Sequence, residues 1–391
     1  MIIQPIDNKK EAGFYNKGKI LKTLEELFVD TPPWQELYAW KKSPLLSELK
    51  VQYGYVYSSG ASLMEACPTF LRERWESCER KLQAFYKAAV HSKMDVKGLS
   101  LSDLAPEHFI SDYFELRSQI IKSIFSEMTK PPNYDFMCEV YNLVCEIANN
   151  KLLLDTSLKC YERYKKYSDY IDYEIFGTKT GRLKTKKGSF PIMNLPKESR
   201  RLLKPHNDVF IELDFNAAEL RTFLSLMGSP QPQEDLHDWN RQHIYPHLDR
   251  GDAKERIFAW LYNSSSKDFS PQKFYDKNLL VSRFFADGTI ETPFNRILNC
   301  DEFHALNYLL QSTTSDLMLE RAVAISKKLS SRKSYISFML HDSLVMDFSY
   351  ADRHLVEELV QIFSETSMGK YVCNLKMGRN FGDMQEVKLT N

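Results

Sequence analysis

Residues 334–348, SYISFMLHDSLVMDF, set two apolar arms on either side of a three-residue polar corner, His341-Asp342-Ser343. An aspartate in a hairpin turn is ordinary, because its side chain bonds its own backbone two residues on. Arms this apolar are less ordinary, since both must be buried and the turn then stands on a rigid base. Residues 208–221, DVFIELDFNAAELR, have the same character. They start as a buried strand, place Asp214 where the apolar run ends, and turn helical within five residues, carrying Glu219 beside Arg221. A lone Asp there would usually be a helix cap. If the two strands are neighbours in one antiparallel sheet, however, Asp214 and Asp342 converge at its edge. Carboxylates that close repel each other unless something cationic lies between them. Hard oxygen ligands with open positions suit Mg²⁺, which keeps waters and takes substrate phosphates.

At 391 residues the chain is long for one core and suits two or three subdomains. Apolar residues at 43% and charged residues at 27% fit a soluble globular protein. Lys+Arg and Asp+Glu are both 52, so any nucleic-acid contact must come from local patches. The seven cysteines are scattered and never paired as CxxC, which points to reduced thiols in a cytosol-like compartment and away from a zinc module or disulfide scaffold. The opening MIIQPIDNKKEAG is too polar for a signal peptide. No run approaches the ~18 apolar residues of a membrane span, so no membrane partner is expected.

Residues 1–20 alternate and turn like a short hairpin, and from about 34 to 167 the pattern is mostly helical. Residues 107–128 and 133–155 read as an antiparallel helical pair, split by Pro131-Pro132. Residues 182–204 hold eight basic residues (Arg182, Lys184, Lys186, Lys187, Lys197, Arg200, Arg201, Lys204) against one acid, Glu198. Such a run is commonly a solvated face, but it could also lie along a nucleic-acid backbone. In 249–263, DRGDAKERIFAWLYN, Arg250, Lys254, Phe258 and Tyr262 stand four apart on one helical face, beside the apolar row Ala253, Ile257 and Leu261. By itself this is an amphipathic helix. Residues 288–299 look like a short hairpin, and 303–329 like one long helix holding Gln311 and Asp316.

Taken in order, these segments resemble the family A DNA polymerases, the family of bacterial DNA polymerase I. TKTGRL (178–183) resembles the family's TxTGRL, and NLP (194–196) its QNIP. LDFNAAELR (213–221) is similar to motif A, ADYSQIELR, and DLH (235–237) to the DIH before the fingers helix. RGDAKERIFAWLYN (250–263) fits motif B, RxxxKxxxFxxxYG, and GTIETPFNR (288–296) resembles GYVETLFGR. LLQSTTSDLMLERA (309–322) resembles PIQGTAADIMKRA, LHDSLVMDF (340–348) motif C, VHDELVFEV, and GRNFGDM (378–384) the ending GxNWxxA. The likeness runs from about 176 to the end.

The resemblance implies an α+β right-hand polymerase with an antiparallel-sheet palm, helical fingers and a helical thumb. It divides the chain into an N-terminal hairpin and thumb region at 1–170, palm at 171–234, reduced fingers at 235–287, and palm with C-terminus at 288–391. Asp214 and Asp342, with the carbonyl of Phe215, would hold two Mg²⁺ ions, Mn²⁺ substituting. Lys254 would contact the triphosphate and protonate the departing pyrophosphate, and Arg250 and His237 would hold the phosphates. Phe258 would sit against the incoming sugar and base, Tyr262 beside the templating base, and Glu219 where it crowds a ribose 2′-OH. Arg182 and Gln311 would read the minor groove near the primer end, Asn307 would lie near the template, and His341, Arg200, Arg201 and Lys204 would contact DNA.

Several positions depart from the family pattern. Ser343 stands where most members carry a second acid, and HDS also occurs in single-subunit RNA polymerases. Asn263 replaces a glycine, and Phe303 an arginine. Only about 25 residues separate Tyr262 from Gly288, so the fingers read as trimmed. The N-terminal part shows no exonuclease signature. The function implied is a compact, exonuclease-less DNA-templated DNA polymerase of a bacteriophage or other mobile replicon, cytoplasmic in its host. Its partners would be primer–template DNA and dNTPs, with a separate exonuclease, processivity factor or helicase-primase. The alternatives are a single-subunit RNA polymerase-like enzyme and a degenerate, non-catalytic primer–template-binding replisome protein.

Overall fold

The computed structural model describes residues 64–94, 105–127, 132–263 and 266–388, together with the short strands Ile2–Ile3, Gly13–Asn16 and Lys19–Leu21. The chain divides into two units, Met1–Asn149 and Asn150–Asn391. The division falls earlier than the boundary expected at 170. Leu153–Leu154 pairs with Leu203–Lys204, which ties the segment after 149 to the second unit.

In the first unit the three short strands pair antiparallel in chain order, one strand more than a hairpin. Three long helices follow, Thr69–His91, Glu107–Glu127 and Tyr134–Asn149. Leu71, Trp75, Cys78 and Leu82 of the first meet Phe109, Tyr113, Leu116 and Ile120 of the second in one core, both sets at helical spacing. Glu107–Glu127 thus packs on the helix before it. The third helix stops at Asn149, short of the expected 155, because the apolar LLL that follows is drawn into strand pairing. Residues 22–63, including part of the helical stretch expected from 34, lie outside the described residues.

The second unit is built on a five-stranded antiparallel sheet. Its strands are β1 (Val209–Phe215), β2 (Tyr335–Leu340), β3 (Ser343–Phe348), β4 (Cys373–Gly378) and β5 (Gln385–Glu386), in the order β2-β3-β1-β4-β5. A central strand needs apolar residues on both faces, and β1 buries Val209, Phe210, Ile211, Leu213 and Phe215. The helices of eight residues or more described in this unit are α1 (Ala218–Met227), α2 (Leu236–His243), α3 (Arg250–Tyr262), α4 (Lys277–Phe284), α5 (Glu302–Leu329) and α6 (Val356–Ser364). Phe363 of α6 stacks on Phe215 at 4.2 Å and covers one face of the sheet. Thr222 of α1 and Thr314 of α5 share a buried hydrogen bond of 3.0 Å. Phe223, Trp260, Tyr275 and Leu309 join α1, α3 and α5 in a second apolar core. The hairpin expected at 288–299 is present, Thr289–Glu291 against Ile297–Asn299, with Phe285–Ala286 as a third strand.

Edge strand β2 carries a register shift between Ile336 and Phe338. The buried Tyr173 hydroxyl donates to the Met339 carbonyl and accepts from its N–H at 3.1 Å. One side chain thus satisfies both outward-facing backbone groups of an edge-strand residue, two positions before the polar corner.

Candidate active site

The two strand-end acids lie side by side. β1 and β3 pair so that Asp214 stands opposite Ser343, and the Phe215 N–H donates to the Asp342 carbonyl at 3.3 Å. Each acid adjoins a non-glycine residue in the left-handed region, Ala217 at φ 53° and His341 at φ 52°. Such residues cost about 1–3 kcal/mol each and cluster at functional sites. Burial pushes the Asp214 carboxyl up to about 6; a hydrogen bond from Asn374 at 3.3 Å and the Lys376 cation hold it back, and Asp342 adds to the push. Burial also raises Asp342, against the pull of Arg182. Two carboxylates driven toward neutrality in adjoining corners are the donor set a divalent cation relieves. Among the described residues no group of three or more His, Cys, Asp or Glu side chains is placed to hold a metal.

Glu219, on the first turn of α1, is buried and doubly held. Arg182 pairs with one carboxylate oxygen, and the Tyr262 hydroxyl donates to the other. Burial pushes Glu219 up to about 7; Arg182 opposes the shift and Asp342 reinforces it. Three distant segments, TKTGRL, motif A and the end of α3, thus meet on one side chain beside the acid corner. Gly181, just before Arg182, makes the close approach of Arg296 possible. Its φ is +77°, and a Cβ there would lie 2.6 Å from the Arg296 guanidinium carbon. Arg296 is in turn fixed by two hydrogen bonds, 2.7 and 2.9 Å, to the buried Asp316 of α5.

On α3 the expected division holds. Ala253, Ile257 and Leu261 are buried, Lys254 is exposed, and Phe258 is half-buried. Phe258 stacks with Tyr262 at 6.0 Å between ring centres and lies 5.9 Å from His237. Arg250 pairs with Asp235 at 2.7 Å and with Asp238 at 3.5 Å. His237 is buried with Nδ1 lacking a partner, and burial plus the Lys254 cation push it down to about 4. It is therefore a neutral imidazole here and not the cation a phosphate clamp would suggest.

Sequence reading missed the joint between these regions. Arg221 is fully buried and donates to the carbonyls of Asn216 (2.8 Å), Pro232 (2.7 Å) and Glu234 (2.7 Å). Asn216 in turn donates to Asp235 at 2.8 Å, and Asp235 caps α2 by accepting from the N–H groups of His237 and Asp238. Asp235 before LHD is a legible N-cap signal; the inward turn of Arg221 has no sequence signal.

Asn307, Gln311 and Ser315 lie on one face of α5, four apart, and the Ser315 hydroxyl donates to the Gly181 carbonyl at 3.1 Å. Asn307 and Gln311 are half-buried and His341 is exposed. In the basic run 182–204, Lys184, Lys187 and Lys197 are exposed, and other cations have protein partners. Arg200 lies 4.8 Å over the Phe381 ring, Arg201 pairs with Asp383 at 2.8 Å, and Lys204 pairs with Asp155 at 2.7 Å. These partners are far away in sequence, so the run alone could not reveal them.

A cavity of about 730 Å³ opens beside Tyr262, lined also by Lys277, Phe285, Phe303 and Asn307. All seven cysteines are free thiols. No helix among the described residues is long and apolar enough to cross a membrane.

No protein-family model and no curated protein matches the chain. Among solved structures it is similar to the POL domain of Pol1 from M. smegmatis, solved in complex with DNA primer-template and dNTP. The TM-score is 0.45 and the identity 13%, over 70% of this chain and 54% of that one. The chain thus spans about half the length of that structure's chain.

Proposed function

We propose that this chain is a DNA-templated DNA polymerase of the family A kind, adding dNTPs to a primer 3′ end. The observation that supports this best is the convergence on Glu219. Arg182, Tyr262 and Asp342 come from segments far apart in sequence, and all three act on the Glu219 carboxylate. In this reading β1–β5 form the palm, α2–α4 the reduced fingers, and the helices of the first unit the thumb.

Asp214, Asp342 and the Phe215 carbonyl would hold two Mg²⁺ ions, or Mn²⁺ in their place. Bound there, such ions supply charge stabilisation for the attacking and leaving oxygens of an in-line displacement. The chain's own residues do the rest. Lys254, exposed on α3, meets the triphosphate and gives a proton to the departing pyrophosphate. Arg250 exchanges Asp235 for a phosphate; a surface pair of this kind is worth about 0–1 kcal/mol, so the exchange is cheap. The same holds for Arg201 and Lys204 toward a DNA backbone. His237 donates to phosphate as a neutral group, or gains a proton once an anion sits beside it. Phe258 packs on the sugar and base. Glu219 fills the space that a 2′-OH would need, and Arg182, Gln311 and Asn307 contact the primer–template minor groove, where sequence barely matters. His341 stands next to the primer end.

Primer extension with dNTPs or NTPs tests this. Template-directed dNTP addition is expected. Addition of NTPs alone would point to the RNA polymerase-like alternative, and tight primer–template binding without extension to a non-catalytic role. A labelled mismatched primer incubated with Mg²⁺ and no nucleotide is expected to stay intact. Progressive release of mononucleotides would reveal a nuclease site.

A further inference from the structure

Helix α3 ends without the usual devices. Its last turn holds no basic residue, and its C-cap, Asn263, has φ −105° and not the left-handed conformation of a glycine cap. Two carbonyls at its end also accept from a side chain of the next helix. The Lys277 ammonium donates to the Trp260 carbonyl and, at 3.0 Å, to the Asn263 carbonyl. It also lies 4.1 Å from the centre of the Trp260 ring. Lys277 is the first residue of α4, where a cation opposes that helix's own dipole. The placement makes sense for the neighbour: a cation at the C-terminus of α3 complements the dipole there and adds a charged donor to carbonyls that otherwise have only one long backbone bond each, 3.3 Å to Trp260 and 3.2 Å to Asn263.

Trp260 is buried between Phe223 and Tyr275, so the carbonyls that Lys277 grips are rooted in the core. Tyr262, one residue before Asn263, is the other fixed point of this turn, through Glu219. Both Lys277 and Tyr262 line the 730 Å³ cavity. We propose that Lys277 is a positioning residue that pins the last turn of α3 and thereby sets where the Tyr262 ring stands in the nucleotide site. The kinetic part of this inference rests on the polymerase reading; the pin itself does not.

The test compares K277M, which keeps an apolar stem and loses every donor, with K277R, which keeps charge and donors. K277Q, a milder change, carries the expectation of K277M if that variant does not fold. Amide hydrogen exchange of the full chain without DNA is read over 258–263. K277M is expected to speed exchange there by about tenfold, with K277R near wild type. In primer extension, K277M is expected to raise the KM for the incoming dNTP about fivefold with kcat within about twofold, and K277R to restore it. Unchanged exchange over 258–263 in K277M overturns the pin. Faster exchange with unchanged KM overturns the link to Tyr262. Loss of kcat and thermal stability together, not rescued by K277R, makes Lys277 a packing residue only. A wild-type chain that extends no primer removes the polymerase reading, and the exchange measurement still decides the pin.

Discussion

The acid corner and helix α3 both reach Glu219 but are held by opposite means. Asp214 sits on a strand paired on both sides, opposite Ser343 and Asn374, and the Asp342 carbonyl is bonded to the Phe215 N–H. Backbone pairing fixes both acids, and neither can move without breaking ladder bonds. The residues of α3 are held through side chains: Arg250 by Asp235, Tyr262 by Glu219, Phe258 by ring contacts. Such contacts can be traded for others. Paired backbone holds a group in one place, whereas side-chain contacts leave a group whose partner can be replaced.

That contrast can be broken most directly at its rigid end. D214N and D342N are each expected to lower nucleotide addition by at least about a thousandfold, roughly 4 kcal/mol of transition-state stabilisation, while primer–template binding persists. Lys254→Met on the adaptable side is expected to lose only about ten- to a hundredfold. Near-normal turnover in Mg²⁺ by either acid variant, or a Lys254 loss as large as theirs, would erase the distinction.

The joint comes next. R221M leaves three carbonyls and Asn216 without their buried donor, a loss of about 3 kcal/mol. Urea unfolding is the measurement. A change below about 0.5 kcal/mol would mean that the two regions are not coupled through Arg221.

Glu219 stands between the two regions and gives a smaller effect with a definite sign. E219A is expected to raise ribonucleotide over deoxyribonucleotide incorporation about ten- to a hundredfold, measured as a ratio of efficiencies. The same carboxyl keeps its proton to about 7 when folded, against 4.5 when free. Between those values the native state binds more protons than the unfolded one, so its contribution to stability falls as pH rises from 4.5 to 7. E219Q should flatten that part of the stability–pH curve; an unaltered curve would show that Arg182 fully compensates the charge.

The smallest effect is on α3. F258Y is expected to raise the ratio of dideoxynucleotide to deoxynucleotide incorporation by about tenfold or less, because a hydroxyl there restores a polar contact worth roughly 1–3 kcal/mol. If the ratio does not rise, α3 is turned differently toward the sugar.

Much of this was legible from local pattern. The apolar arms around His341-Asp342-Ser343 and the run before Asp214 can only be strands buried on both faces, and they are β1, β2 and β3. The four-residue spacing of Arg250, Lys254, Phe258 and Tyr262 separated the outer face of α3 from its core face. What stayed hidden depended on partners distant along the chain. The partners of Arg200, Arg201 and Lys204, namely Phe381, Asp383 and Asp155, lie far along the chain. The core that helix 107–127 shares with helix 69–91 likewise has no local signal.

The amino-acid sequence by itself determined which segments are strands and helices, where the acids fall on them, and which helical face is apolar, since those follow from periodicity and short-range sterics. Only the tertiary structure decided that β1 and β3 are neighbours in the register that sets Asp214 beside Asp342. It also decided that Arg221 points inward to hold a loop, and that Lys277 closes the end of a helix it does not belong to. The physical reason is that a charged side chain's partner is chosen by distance in space and by the cost of leaving a buried polar group unpaired, and neither is written in the order of residues.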